Sequence, residues 1–175
     1  MDFNHVNEPS ERPIPIYSFV AFSGTGKTTL LEKLIPELKK RGLRVAVMKH
    51  DAHEFEVDHE GKDSWRMTRA GADVTIVASS THAAIMENRP IDTETLLSRI
   101  TDVDLILSEG YKHGGYPKIG VFRQKTGKPL PEVDGGYLAI MSDTPLQTKL
   151  PCFALDDIAA LADFILEDMK KQASV

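Results

Sequence analysis

Seven consecutive residues, Ser23-Gly24-Thr25-Gly26-Lys27-Thr28-Thr29, have the types and order needed to hold a polyphosphate. Glycines at 24 and 26 free the backbone to turn, so that successive N–H groups point inward at anionic oxygens. A helix starting at Lys27 adds the partial positive charge of its N-terminus. The Lys27 ammonium is then placed to reach β- and γ-phosphates, and the Thr28 hydroxyl to bind Mg²⁺. This is the G-K-T core of a phosphate-binding Walker A loop, with Ala21 where the first glycine usually stands; alanine fits there if its φ is negative. Such a site needs an acid from a second strand to hold the metal through water. Residues 103–110, Val-Asp-Leu-Ile-Leu-Ser-Glu-Gly, supply one: four of the first five are apolar and Glu109 stands at the carboxyl end, where α/β sheets bind ligands. Asp104 comes too early in that strand. Lys27 and Glu109 are therefore the expected catalytic pair, with Thr28 and Glu109 on the metal.

Three further segments carry chemistry. Residues 49–60 hold five acids and three histidines just past a strand. His50, His53 and His59 with Asp51 or Asp58 could bind a transition metal. The same segment could instead be a nucleotide-responsive loop with Asp58 or Asp51 facing the Mg²⁺ hydration shell, or a solvated acidic loop. Residues 110–131 contain no acid but include Lys112, His113, Lys118, Arg123, Lys125 and Lys128. In a chain of net charge -5 that collection suggests a site for a second phosphorylated compound or an acidic partner, with a solvated basic hairpin as the plain alternative. Finally, Asp143 follows a strand late in the chain. Its oxygens could accept from N1–H and the 2-amino group of guanine, which adenine cannot match; it could equally start a turn before Pro145.

Elements in the right order must position these groups. Apolar β-rich runs at 14–22, 45–48, 103–107, 119–122 and 137–141 read as strands. Leu30, Leu31, Leu34, Ile35 and Leu38 mark one face of a helix over 27–41, in which Pro36 predicts a kink or break. Helices are also expected at 61–70, 93–100 and from Asp156-Asp157 to Lys171. The runs 73–78 and 82–86 are too close for a helical crossover and predict an antiparallel hairpin. Alternation of strand and helix means an α/β fold, a mostly parallel sheet with helices on both faces plus that hairpin. Residues 1–13 read as a loose tail and 14–175 as one nucleotide-binding domain. The chain has 175 residues, 41% hydrophobic and 27% charged, with one cysteine. No apolar run reaches the ~18 residues of a membrane span, the first residues lack a secretory h-region, and the acidic balance argues against non-specific nucleic-acid binding. A cytoplasmic location is expected.

Five stretches together resemble the molybdopterin-guanine dinucleotide biosynthesis protein B family: A-F-S-G-T-G-K-T-T-L-L, R-V-A-V-M-K-H-D-A-H-E-F-E-V-D, G-K-D-S, A-G-A and L-I-L-S-E-G-Y-K-H. The similarity runs from about Ile16 into the last helix. It implies a P-loop NTPase-like fold, GTP and Mg²⁺ as ligands with weak hydrolysis at most, and a homodimer. It further implies an adaptor to the molybdenum cofactor guanylyltransferase, which attaches GMP to a molybdopterin-type substrate. Ser23, Gly24, Thr25, Gly26, Lys27, Thr28 and Thr29 correspond to the phosphate loop, and Glu109 to the acid of the family's E-G-[FY]-K. Lys49, His50, Asp58, Lys62 and Asp63 match motif positions, a switch or substrate loop without assigned roles. Many members carry adjacent histidines where this chain has Ala52-His53, and Glu56 stands where a close match carries Asp. A metallochaperone-type GTPase usually has a Cys-x-His site or His-rich tail, absent here. A P-loop kinase of small metabolites usually has an arginine-rich lid, whereas residues 110–131 are mostly lysine-bearing.

Overall fold

A computed structural model of the chain describes residues 13–50 and 55–174. The described residues divide into two compact units, 13–50 with 101–174, and 55–100.

The larger unit is built on a six-stranded sheet in the order β2-β5-β1-β6-β7-β8. The strands are β1 (Ile16–Val20), β2 (Val45–Lys49), β5 (Leu105–Glu109), β6 (Lys118–Phe122), β7 (Ala139–Ser142) and β8 (Cys152–Ala154). Every pairing among them is parallel. From β1 the chain goes to one side, to β2 and later β5, then crosses to β6 on the other side of β1. The carboxyl end of β1 is therefore a point where strand order reverses, the usual place for a ligand in an open α/β sheet.

Two helices, α1 (Lys27–Lys40) and α4 (Ile158–Ala173), pack on one face of this sheet and on each other. Leu30, Leu31, Leu34 and Leu38 of α1 and Leu161, Ala162 and Ile165 of α4 meet Tyr17, Phe19, Leu105, Leu107, Ile119, Val121 and Met141 in one core. Burial at ~25 cal/mol per Å² makes this cluster the main source of stability. The Tyr17 hydroxyl donates to Asp168 Oδ2 at 2.8 Å, tying α4 to β1; burial, helped by that carboxylate, pushes the phenol far above its ordinary pKa. Helix α1 runs unbroken through Pro36. Pro36 and Glu32, whose carbonyl loses its partner, both lie on the exposed side, where water can replace the missing bond. On the opposite face of the sheet, a Cβ at Gly120 would come within 3.0 Å of Leu130 Cδ2 and Tyr137 Cε1. The 123–138 connection thus lies flat on that strand, and only glycine leaves it room.

Strand β5 lies two residues later than the apolar run suggests, because Ser108 and Glu109 remain in the ladder opposite Met48 and Lys49. Asp104 sits at the other end, accepting from the Arg44 backbone N–H at 2.6 Å and pairing with its guanidinium at 3.2 Å. Strand β8 is three residues long and has no periodicity to announce it.

The smaller unit holds α2 (Asp63–Arg69), the antiparallel hairpin β3 (Val74–Ala78) and β4 (Ala83–Glu87), and α3 (Thr93–Ser98). Asp92 caps α3 by accepting from the Thr95 N–H at 2.8 Å. Among the described residues no helix is long and apolar enough to cross a membrane.

Candidate functional site

The loop 21–26 joins the end of β1 to the start of α1. Gly24 and Gly26 adopt φ of 79° and 103°, which β-carbon-bearing residues rarely do. Ala21 is not among the positive-φ residues, so alanine is unstrained in place of the first glycine. Gly26 is the N-cap of α1 and offers no side-chain oxygen, so the N–H groups of the first turn have no side-chain cap.

The Lys27 ammonium folds back over the loop, donating to the Ala21 carbonyl at 3.0 Å and to that of Phe22 at 3.4 Å. Burial holds its pKa below the ordinary lysine range; the nearby charge of Glu109 opposes this, while Lys49 and Lys128 add to it. Glu109 is the last residue of β5, in register with Phe19 of β1 and Lys49 of β2. The Thr28 hydroxyl lies 3.1 and 3.3 Å from its two carboxylate oxygens. Two residues 81 positions apart, singled out by separate motifs, are thus brought together over the loop.

The ends of β2 and β5 also meet. The His50 N–H donates to the Glu109 carbonyl at 3.0 Å. A Cβ at Gly110, where φ is 110°, would stand 3.3 Å from the His50 carbonyl oxygen and Cβ. Tyr111 takes a positive φ of 36° and lays its ring 4.8 Å from that of His50. Lys49 and His50 are thereby placed beside the Glu109 end of the site.

The basic residues of 110–131 do not form one patch. Lys118 requires a correction: it is not a surface anion or partner residue but is 2% exposed, in the first position of β6. Its ammonium donates to the carbonyls of Gly114 at 2.6 Å and Tyr116 at 3.0 Å, pinning the loop that follows Glu109. Lys112 and Lys125 are exposed. Arg123 and Lys128 lie on the phosphate loop instead: Arg123 Nε donates to the Thr25 carbonyl at 3.1 Å and Lys128 Nζ to that of Ser23 at 2.9 Å. The acid-free composition flags this segment, but only the return of the chain from β6 puts its cations against Ser23 and Thr25.

Beside the loop lies a cavity of about 650 Å³ over the ends of β7 and β8, lined by Lys33, Arg123, Asp143, Thr144, Phe153 and Asp156 among others. Asp143 Oδ1 accepts from the Gln124 N–H at 2.8 Å. It therefore fixes the short 3-10 turn Gln124–Thr126.

In the smaller unit, Lys62 is the N-cap of α2 and Asp63 its first residue, 3.6 Å from Arg66. Asp58 accepts from the His59 N–H at 2.8 Å; the Ser64 hydroxyl and then that N–H hold its carboxyl below the usual range. Asp51 and His53 lie outside the described residues. Among the described residues no group of three or more His, Cys, Asp or Glu side chains is set to hold a metal ion.

Residues 16–143 match the family model for molybdopterin guanine dinucleotide synthesis protein B. The chain is 44% identical over 167 residues to the molybdopterin-guanine dinucleotide biosynthesis adapter protein of Escherichia coli K12, covering 91% of this chain and 95% of that one. It is 45% identical over 156 residues to the adapter protein of that name from Haemophilus influenzae, covering 87% and 88%. Among solved structures, Bacillus subtilis MobB superposes with a TM-score of 0.72 at 31% identity, over 87% of this chain and 96% of that one.

Proposed function

Because the chain belongs to the molybdopterin guanine dinucleotide synthesis protein B family, we propose that it is an adapter in molybdopterin guanine dinucleotide biosynthesis that binds GTP with Mg²⁺. The meeting of Thr28 and Glu109 over a glycine-turned loop is the observation that carries the nucleotide reading. A hydroxyl and a carboxylate are hard oxygen donors, and a loop open enough to keep waters suits Mg²⁺. Bound there, the ion would neutralise charge on the terminal phosphates. Thr28 would hold it directly and Glu109 through water, while Lys27 leaves its carbonyls for β- and γ-oxygens. The uncapped N–H groups of the first turn of α1 would take the remaining phosphate charge. Hydrolysis through this site is weak at most, and its partner is the guanylyltransferase that joins GMP to molybdopterin, in the cytoplasm. Lys112 and Lys125 are the exposed cations of 110–131 left for that partner or for the pterin substrate.

Glu109→Gln keeps the shape of this end of the site and removes its charge. Titration of fluorescent GTP with and without millimolar Mg²⁺ is expected to show that the variant loses the magnesium-dependent part of affinity and hydrolysis. Unchanged magnesium dependence would move the metal acid elsewhere.

Asp143 is assigned to the base. A carboxylate accepts up to about four hydrogen bonds, so the one from Gln124 leaves room for N1–H and the 2-amino group of guanine. Asp143→Asn is expected to shift preference from GTP towards XTP in competition binding with ATP as control. A preference that does not move leaves Asp143 as the anchor of the 124–126 turn only.

The homodimer is assigned to the hairpin. Ile76 and Ile85 are cross-strand partners, 65% and 67% exposed. A two-stranded sheet is marginal by itself and has both edges open, so a second copy both covers the apolar pair and extends the ladder. Ile76→Asp with Ile85→Asp is expected to give the monomer mass by light scattering; a dimer unchanged in the double variant rules out this face.

A further inference from the structure

Arg123 lies where β6 ends, between the phosphate loop and the 650 Å³ cavity that it helps to line. Only Nε is engaged among the described residues, by the Thr25 carbonyl. The planar end of the guanidinium is turned along Gly26, with Nη2 3.3 Å from where a Cβ would stand. Four of its five N–H donors are left over, and no ion pair of Arg123 with a carboxylate occurs among the described residues.

Positive charge is concentrated on the loop. Lys27 and Lys128 bond to the carbonyls of Ala21 and Ser23 on the same loop. Three cations are thus gathered on six residues of backbone, with Glu109 beside Lys27 and with Asp143 and Asp156 lining the cavity that Arg123 shares. Cations kept this close repel one another, and a polyanion relieves the repulsion. A guanidinium is also the group whose fork matches two phosphate oxygens at once.

The sheet order then fixes a direction. Glu109 and Thr28 mark the metal end, at β5. The cavity lies over β7 and β8. Arg123 stands between them at β6. A nucleotide laid across this edge has its outermost phosphate towards β5 and its base in the cavity, and the phosphates that pass Arg123 are the inner ones.

We propose that Arg123 is a nucleotide-binding residue that grips the α- and β-phosphates with its free Nη1 and Nη2 groups. The inference rests on the nucleotide reading above and adds the polarity of the bound molecule. It also gives Gly26 a second reason to be glycine: a Cβ would crowd the guanidinium as well as strain the backbone.

The test is calorimetric titration of GDP and GTP into the full-length wild type, Arg123→Ala and Arg123→Lys. Arg123→Ala is expected to weaken both nucleotides by the same factor, about tenfold or more, because both carry the inner phosphates. Arg123→Lys keeps charge without the fork and should fall between. Free guanidinium at millimolar concentration should restore GDP affinity to Arg123→Ala without raising its melting temperature, a rescue that a purely structural contact to Thr25 would not give. Should the alanine variant fail to fold, the lysine variant carries the test, with a common loss for GDP and GTP expected. GDP affinity equal to wild type overturns the proposal. A loss confined to GTP also overturns it, by placing the guanidinium at the γ-phosphate. A wild type that binds neither nucleotide fells the nucleotide reading and this inference with it, an outcome distinct from a binding wild type and an equally binding variant.

Discussion

Lys118→Glu is expected to unfold the larger unit or leave it weaker by more than about 3 kcal/mol, the usual scale for stranding a buried charge. The residue is 2% exposed and its ammonium serves two carbonyls, those of Gly114 and Tyr116. A carboxylate there meets oxygens with lone pairs and nothing to donate. Lys118→Met is the gentler control. It keeps most of the length, removes the charge, and leaves two carbonyls unpaired, a loss of about 1–3 kcal/mol. Urea unfolding followed by circular dichroism ranks the three proteins. A Lys118→Glu midpoint equal to wild type would mean that the side chain leaves its buried position at no cost. The variant also separates a stability effect from a surface one. Reversal of exposed Lys125 should leave the midpoint unchanged, within the ±0.5 kcal/mol or so of an ordinary surface substitution.

Lys27→Ala is expected to weaken GTP binding by at least tenfold, about 1.4 kcal/mol, with little change in folding. The direction follows from where the ammonium lies. In the free protein it bonds to two loop carbonyls, Ala21 and Phe22, and burial already disfavours its charge. A phosphate gives it a counter-charge that these carbonyls do not, so binding gains more than the free state loses on truncation. The removed contacts are to carbonyls at the mouth of the loop, which water can replace. Fluorescent-nucleotide titration of the two proteins measures the difference, and equal affinities would remove Lys27 from the phosphate site. A thermal melt of the ligand-free variant checks the second half of the expectation.

Much of this was legible in the residues because the relevant physics is local. Glycine at 24 and 26 announces positive φ wherever the chain later goes, and both positions adopt it. The 3.6-residue spacing of Leu30, Leu34 and Leu38 announces a buried helix face, and all three are in the core. An acid ending an apolar strand announces the Glu109 position, and parallel pairing with β1 carries it to Thr28.

What the sequence by itself determined, then, is which residues can do chemistry and which elements hold them. Tertiary structure decided which side of the protein each charge faces. Lys118 and Arg123 come from one acid-free stretch and read alike as surface cations. A strand's alternation sends the first beneath a loop, with 2% exposure, and the last turn out of that strand sends the second onto Thr25. Pro36 shows the same division: its missing N–H is a local fact, but the helix survives because the affected turn faces water. Strand β8 exists because β7 offers an edge for Cys152–Ala154 to pair with, and three residues of sequence carry no period from which to read it. Local conformation is written in each residue's own sterics and hydrogen-bonding groups. Burial and partner choice depend on residues tens of positions away, and those distances close only when the sheet order is set.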